Sequence, residues 1–218
     1  MYKKLILSCM AVAAFAAFVL PATASAATAT DPEHVKVGAS ITSKNTGNAI
    51  FMRTDGVTPE VTCSTIHATG SVTKNSEGVF SATISTFNFS GTAPLNPHNG
   101  LNECTSSSIG SSFITVANLP LTITTVAPGD NFYLFGKNGG KVKFIIGSTV
   151  IGECEYEATN PAISGTYTTS VTTVFTPSNT QAGSGSKLIR GGFFCPTSAQ
   201  LFMSFNFQTT NGVEIGIS

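Results

Sequence analysis

Residues 141–157 read KVKFIIGSTVIGECEYE, two runs in which apolar and charged side chains alternate around a central Gly-Ser-Thr. This period of two is typical of a β-hairpin with one buried face. We place the loop at residues 147–149, because a one-residue slip would set apolar side chains opposite charged ones. The register that follows pairs Val142 with Cys154, Phe144 with Gly152, Ile146 with Val150, Lys143 with Glu153 and Lys141 with Glu155.

The same alternation of Thr, Val, Ile and Phe with small polar residues runs through most of the chain, without a long helical period of 3.6 residues. Near the C-terminus, a three-residue loop at 210–212 with Gly212 at positive φ keeps the apolar residues on one face. That loop pairs Phe207 with Ile215 and Phe205 with Ile217. We therefore expect an all-β protein, a single antiparallel β-sandwich of jelly-roll or Greek-key type.

Individual strands carry further expectations. Residues 34–41 read as a first strand, and a bulge is expected at 85–86, where the apolar positions change phase. Residues 113–126 read as a strand that lies at an edge or bends at Pro120, since proline cannot donate to a ladder. Two long connections are expected, at 91–112 and 176–192. The residues expected to share an inner face are Val35, Val37 and Ala39 in the first strand, and Phe113, Ala117, Leu119, Leu121 and Ile123 in the later one.

The first 26 residues have the three-part layout of a secretory signal peptide. Lys3 and Lys4 precede an apolar run that ends at Leu20, and Ala24-Ser25-Ala26 follows as a cleavage site. We expect residues 1–26 to be removed, residues 27–60 to form an N-terminal extension with the first strand, and residues 61–218 to form the β-sandwich domain. The expected location is extracellular, at the cell surface or in the periplasm.

The five cysteines become an even set once Cys9 is assigned to the signal peptide. In an oxidising compartment the remaining four predict two disulfides, with three connectivities open to them. The spacing from Cys63 to Cys104 equals that from Cys154 to Cys195, and each pair encloses a β-like stretch rich in Thr and Ser. We expect these two pairings.

Charge is sparse. Without Lys3 and Lys4, nine basic residues remain against eleven acidic ones, which argues against a nucleic-acid partner. No later segment approaches 18 consecutive apolar residues, so no membrane span is expected after the signal peptide. The chain contains no Trp, so a sugar site loses its most typical platform.

The sequence offers no pattern for catalysis. The three histidines, His34, His67 and His98, lie far apart along the chain, and no Gly-x-Ser-x-Gly or His-Glu-x-x-His spacing occurs. Glu153, Glu155 and Glu157 alternate on one strand, but calcium prefers a bent loop, so we interpret them as a charge-paired surface. We expect no catalytic residue, no cofactor and no metal.

Four segments between Val61 and Tyr167 carry a family resemblance: VTCSTIHATGSVT from Val61, CTSS from Cys104, NLPLTITTVAPG from Asn118 and ECEYEATNPAISGTYT from Glu153. Their order is similar to small secreted bacterial proteins of the activator of alkane oxidation type and to related actinobacterial proteins. The resemblance implies a non-enzymatic secreted β protein tied to surface growth, biofilm or hydrocarbon interfaces.

We therefore expect a secreted structural or interaction protein of the bacterial surface or extracellular matrix. Its partner would be a second copy or another surface protein, added as a β-strand through the segment before Val61 or at the Pro120 strand. The alternative is a carbohydrate- or lipid-binding module, recognised by an apolar groove or a line of exposed Phe or Tyr. A secreted hydrolase is the third reading.

Overall fold

A computed structural model describes residues 35–45, 47–53, 59–76, 79–93, 103–126, 131–167, 174–177 and 185–216. The expected signal peptide at 1–26 and the residues up to 34 lie outside these ranges. No helix in the described part of the chain is long and apolar enough to cross a membrane.

The described residues form fifteen β-strands and one short 3₁₀ turn at Lys137–Gly139. The strands are β1 (Ser40–Asn45), β2 (Ala49–Arg53), β3 (Pro59–Cys63), β4 (Thr65–Ser76), β5 (Val79–Ser90), β6 (Ser112–Val116), β7 (Leu121–Val126), β8 (Asn131–Phe135), β9 (Lys143–Ser148), β10 (Gly152–Ala158), β11 (Ile163–Tyr167), β12 (Val174–Pro177), β13 (Ser186–Arg190), β14 (Ser198–Phe202) and β15 (Phe205–Thr209).

All strand pairings are antiparallel, and they join the strands in the order β3-β2-β14-β13-β10-β9-β6-β5-β4-β1-β15-β12-β11-β8-β7. The pairing of β7, at one end of this order, with β5 shows that the sheet curls. Eight strands therefore follow one another in a ring: β5, β4, β1, β15, β12, β11, β8 and β7. The all-β expectation is confirmed, while the division into the two facing layers of a sandwich stays a prediction.

The other half of the sheet curls in a similar way. This half is joined to β5 by a single residue pair, Asn88 with Thr115 of β6. From β6 the strand order continues through β9, β10, β13, β14 and β2 to β3. Bridges from Thr62 to Thr105 and from Cys104 to Ser112 then lead from β3 back to β6. Strand β5 thus belongs to both halves.

Within the described part of the chain, one cluster of buried apolar side chains fills the interior. Aromatic rings meet edge to face within it, as in the pairs Phe51–Phe144 at 5.6 Å and Phe87–Phe205 at 6.1 Å between ring centroids. Such edge-to-face contacts add about 0.5–1.5 kcal/mol to the free energy gained by burying the rings. Most of the described phenylalanines therefore serve the core.

The 141–157 hairpin forms, but its predicted register is wrong. Strands β9 and β10 pair Ile146 with Cys154 and Lys143 with Glu157, so the loop is 149–151 rather than 147–149. Gly152, at φ +72°, accepts the left-handed backbone that ends this loop. The Ser148 Oγ accepts hydrogen bonds from the two loop amides of Val150 and Ile151, each at 3.2 Å. The strands slide by an even number of residues, so the apolar face is preserved.

Two other local predictions are confirmed. Gly212 has a φ of +80°, and the Ile215 amide donates to the Phe207 carbonyl, as the three-residue loop requires. Ile217 lies outside the described residues. Between β4 and β5 the pairing moves from Thr69–Thr86 to Gly70–Ile84, which leaves Ser85 as the extra residue of a bulge.

The first strand and the 113–126 strand differ from expectation. Val37 is 66% exposed beside Gly38 at φ +90°, so the chain turns there and β1 begins only at Ser40. In β6 the buried positions are even, including Ile114, whereas in β7 they are odd, including Leu121. The predicted common face is therefore wrong before residue 121. The strand is interrupted at residues 117–120, a segment that contains Pro120 and bends at residues 117–118.

Strand β7 pairs on both sides, with β5 and β8, so Pro120 does not mark a sheet edge. The region expected as an N-terminal extension, 27–60, contributes strands that pair within this chain. Strand β1 lies between β4 and β15, and β2 lies between β14 and β3. No boundary is visible at residue 61 among the strands that the structure describes, and β1 and β2 are already occupied as strand partners.

Candidate functional site

The two disulfides join Cys63 to Cys104 and Cys154 to Cys195, the pairings predicted from the equal spacing. Cys63 and Cys104 are fully buried, so the first bridge lies in the core. The second ties the turn after β13 to β10, with Cys195 slightly exposed. It therefore anchors a surface loop.

That loop is the tight turn Gly192–Cys195, in which the Cys195 amide donates to the Gly192 carbonyl at 3.1 Å. Gly191, just before it, has to lack a side chain, because a Cβ there would meet the Cys195 Sγ. The two central positions of the turn are Phe193 and Phe194. The hydrogen bond and the disulfide hold both ends of the turn in place.

Phe193 is 97% exposed and Phe194 is 69% exposed. Their ring centroids lie 5.6 Å apart and their planes meet at 83°. The β9–β10 loop is adjacent, since Gly192 faces the Ile151 carbonyl and Val150 in that loop is 61% exposed. We name Val150, Phe193 and Phe194 the apolar tip. An exposed group of large apolar side chains is a typical mark of an interaction surface.

Ion pairs lie along the same hairpin. Glu155 and Arg190 form one at 3.2 Å on the tip side, while Glu157 lies 3.5 Å from Lys143 and 3.8 Å from Lys141 at the end of the hairpin away from the tip. Two of the three alternating glutamates thus meet cations, which fits the charge-paired interpretation. Exposed pairs of this kind contribute about 0–1 kcal/mol each, so they adjust the local charge more than the stability.

Of the three histidines weighed for catalysis, His67 is the one that the structure describes. His67 is exposed on β4 opposite Asn88, while His34 and His98 lie outside the described residues. Among the side chains that the structure describes, no group of three or more His, Cys, Asp or Glu could hold a metal ion.

Among the side chains that the structure describes, one buried polar group is incompletely satisfied. Asn206 is 2% exposed, its Oδ1 has no hydrogen-bond partner, and its Nδ2 donates to the Glu214 Oε1 at 3.4 Å. A buried amide beside a carboxylate is sensitive to added negative charge.

Sequence reasoning missed the apolar tip. The long connection expected at 176–192 ends one residue before Phe193. In the structure, strand β13 lies within that range. The available signal was the motif Gly191-Gly192-Phe193-Phe194-Cys195, in which two glycines and a bridged cysteine enclose two aromatic residues.

Comparisons with protein families, with curated protein sequences and with solved structures found no match to this chain.

Proposed function

We propose that this is a secreted, non-enzymatic interaction protein of the bacterial surface or matrix, which attaches to apolar interfaces through its tip. A lipid layer or a hydrocarbon droplet would accept the side chains of Phe193 and Phe194. The observation that carries the proposal is the near-complete exposure of two adjacent phenylalanines on a turn anchored by a disulfide.

The free energy available at the tip corresponds to weak, reversible attachment. Full burial of a phenylalanine side chain is worth about 1.5–3 kcal/mol. The exposed fractions of 97% and 69% together amount to about 1.7 such side chains, or roughly 2.5–5 kcal/mol. Because the turn is already held at both ends, little of this is lost to ordering.

The resemblance of residues 61–167 to secreted proteins of hydrocarbon-associated growth points to the same class of partner. Strand addition is less well supported, because β1 and β2 already pair on both sides within the chain. The Glu155–Arg190 pair near the tip also suits an uncharged interface, since it offers little net attraction to anionic lipid.

A tryptophan reporter tests the proposal directly. The chain has no Trp, so Phe194→Trp introduces a single indole at the tip. We expect its emission to shift to the blue with hexadecane droplets or phosphatidylcholine vesicles, with little dependence on salt.

The matched comparison uses serine variants. F193S/F194S should reduce adsorption by about a hundredfold, the lower end of the free energy above. Val37→Ser removes another exposed apolar side chain far along the chain, at 66% exposure, and should adsorb as the unmodified protein does. Equal adsorption by F193S/F194S and the unmodified protein would contradict the proposal.

A further inference from the structure

A second surface lies on the outer side of the ring, where β4, β5, β7, β8 and β11 are neighbours. The alternate residues Ala82, Ile123, Phe132 and Leu134 are buried, so their strand neighbours face outward. The strand register aligns these outward residues in two rows across the sheet. One row is Ser164, Tyr133, Thr124 and Ser81, and the other is Phe135, Thr122, Thr83 and Ser71. We name these eight residues the hydroxyl–aromatic face.

The two aromatic residues stand side by side on β8. The ring centroids of Tyr133 and Phe135 lie 6.5 Å apart and their planes differ by 30°, so the rings are near-parallel. Both side chains are half-buried. Thr124 lies opposite Tyr133, and Thr122 lies opposite Phe135, so each ring has a hydroxyl beside it on the next strand.

Hydroxyl groups continue both rows onto β5. The Ser81 Oγ and the Thr124 Oγ1 share a hydrogen bond of 2.7 Å, and Thr83 pairs with Thr122 in register. Neighbouring strands are about 4.8 Å apart, so the hydroxyls recur at that spacing across the sheet. None of the eight residues is charged. The first row continues onto β4 at Lys74, opposite Ser81, in the position that Ser71 occupies in the second row.

We infer that the hydroxyl–aromatic face binds an uncharged polysaccharide chain. A sugar ring presents C–H groups on its faces and hydroxyls around its rim, which match the rings of Tyr133 and Phe135 and the hydroxyls of Thr122 and Thr124. A hydroxyl both donates and accepts, so it fits the sugar rim in either sense. Lys74 is the cation that continues the first row, and it lies three strands away from Tyr133, so the rings and the hydroxyls beside them match a neutral chain better than an acidic one. This site is separate from the apolar tip and adds a second partner to the proposed function.

Affinity electrophoresis of the full chain tests the inference. Gels would contain neutral polysaccharides (hydroxyethylcellulose, glycol chitin, xyloglucan, glucomannan) or anionic ones (alginate, pectin). We expect retardation in at least one neutral gel, unchanged between 0.05 and 0.5 M NaCl, and none that is specific to the anionic gels. Y133S/F135S should weaken retardation about tenfold or more, because both rings are lost.

Two further variants separate a lost site from a lost fold. Thr122→Val removes the hydroxyl opposite Phe135 while keeping the side-chain shape, and should weaken binding severalfold with little change in the unfolding transition. F193S/F194S should bind polysaccharide normally, so failure of the tip proposal and failure of this one give different results. No retardation in any neutral gel would overturn the inference. So would full binding by a folded Y133S/F135S, or retardation that disappears with salt.

Discussion

The two disulfides form a matched pair for a test of stability. Both enclose a sequence separation of 41 residues, so the chain-entropy treatment predicts the same stabilisation of about 4 kcal/mol for each. The double variants C63A/C104A and C154A/C195A should each lose about that much free energy of unfolding. Any difference between them then reports the folded environment.

That environment differs. Cys63 and Cys104 are fully buried, so two alanines there leave space in the core and should add about 1 kcal/mol to the loss. Cys154 is fully buried as well, but Cys195 is 7% exposed at the surface turn, where neighbouring groups can close part of the space. We therefore expect C63A/C104A to be the less stable variant.

Urea unfolding, followed by circular dichroism with matched slopes, measures both values. A loss below about 1 kcal/mol for C154A/C195A would refute the entropic reasoning, and a smaller loss for C63A/C104A than for C154A/C195A would refute the packing argument. Hexadecane adsorption under conditions where both variants are folded adds a second readout. Only C154A/C195A should adsorb less, because only that bridge holds the Phe193–Phe194 turn.

Three further substitutions test single features. Asn206→Asp places a second carboxylate beside Glu214 in a buried position, which raises the pKa of the new Asp. At pH 7 this variant should lose about 3 kcal/mol or more of unfolding free energy relative to Asn206→Leu. The loss should shrink as the pH falls towards about 4, because the new Asp becomes protonated, and urea unfolding at both pH values checks this. Gly70→Ala should cost about 1–3 kcal/mol because its Cβ would meet the Thr83 carbonyl oxygen, whereas Gly185→Ala, with its nearest neighbour at 3.9 Å, should be close to neutral in the same thermal melts. Gly212→Ala forces alanine to a φ of +80° and should cost about 1 kcal/mol, and an unchanged melting temperature would contradict the loop geometry.

Sequence reasoning reached the features that depend on local pattern. Alternation of apolar and polar residues predicted the β class, and the change of phase after Ile84 located the Ser85 bulge. The need to keep Phe207 and Ile215 on one face selected the loop at Gly212. Each of these features depends on residues that are close in sequence, and the extended geometry of a strand determines which of them share a face.

The predictions that were wrong also have physical explanations. Both phases of 112–116 contain apolar residues, so the pattern alone could not show that Ile114 rather than Phe113 points inward. In the β9–β10 hairpin, Gly152 and the Ser148 hydroxyl determine where the loop lies. The predicted register was chosen from the apolar and charged residues alone, so it took account of neither. Phe193 and Phe194 are the same residue type as the phenylalanines of the core, and only their position in a tight turn accounts for their exposure. The hydroxyl–aromatic face depends on distant strand pairings, which local pattern does not contain.

The pairing of β1 with β15 affects how the protein folds. These strands come from opposite ends of the described chain, and Ile41 lies opposite Thr209. Ring closure therefore has to wait for the last strand, and contacts of such long sequence separation form slowly. Each disulfide, by contrast, closes its own segment without enclosing the other, so both bridges can form earlier. A chain that emerged from a membrane with its N-terminus first would keep this ring open until β15 had emerged.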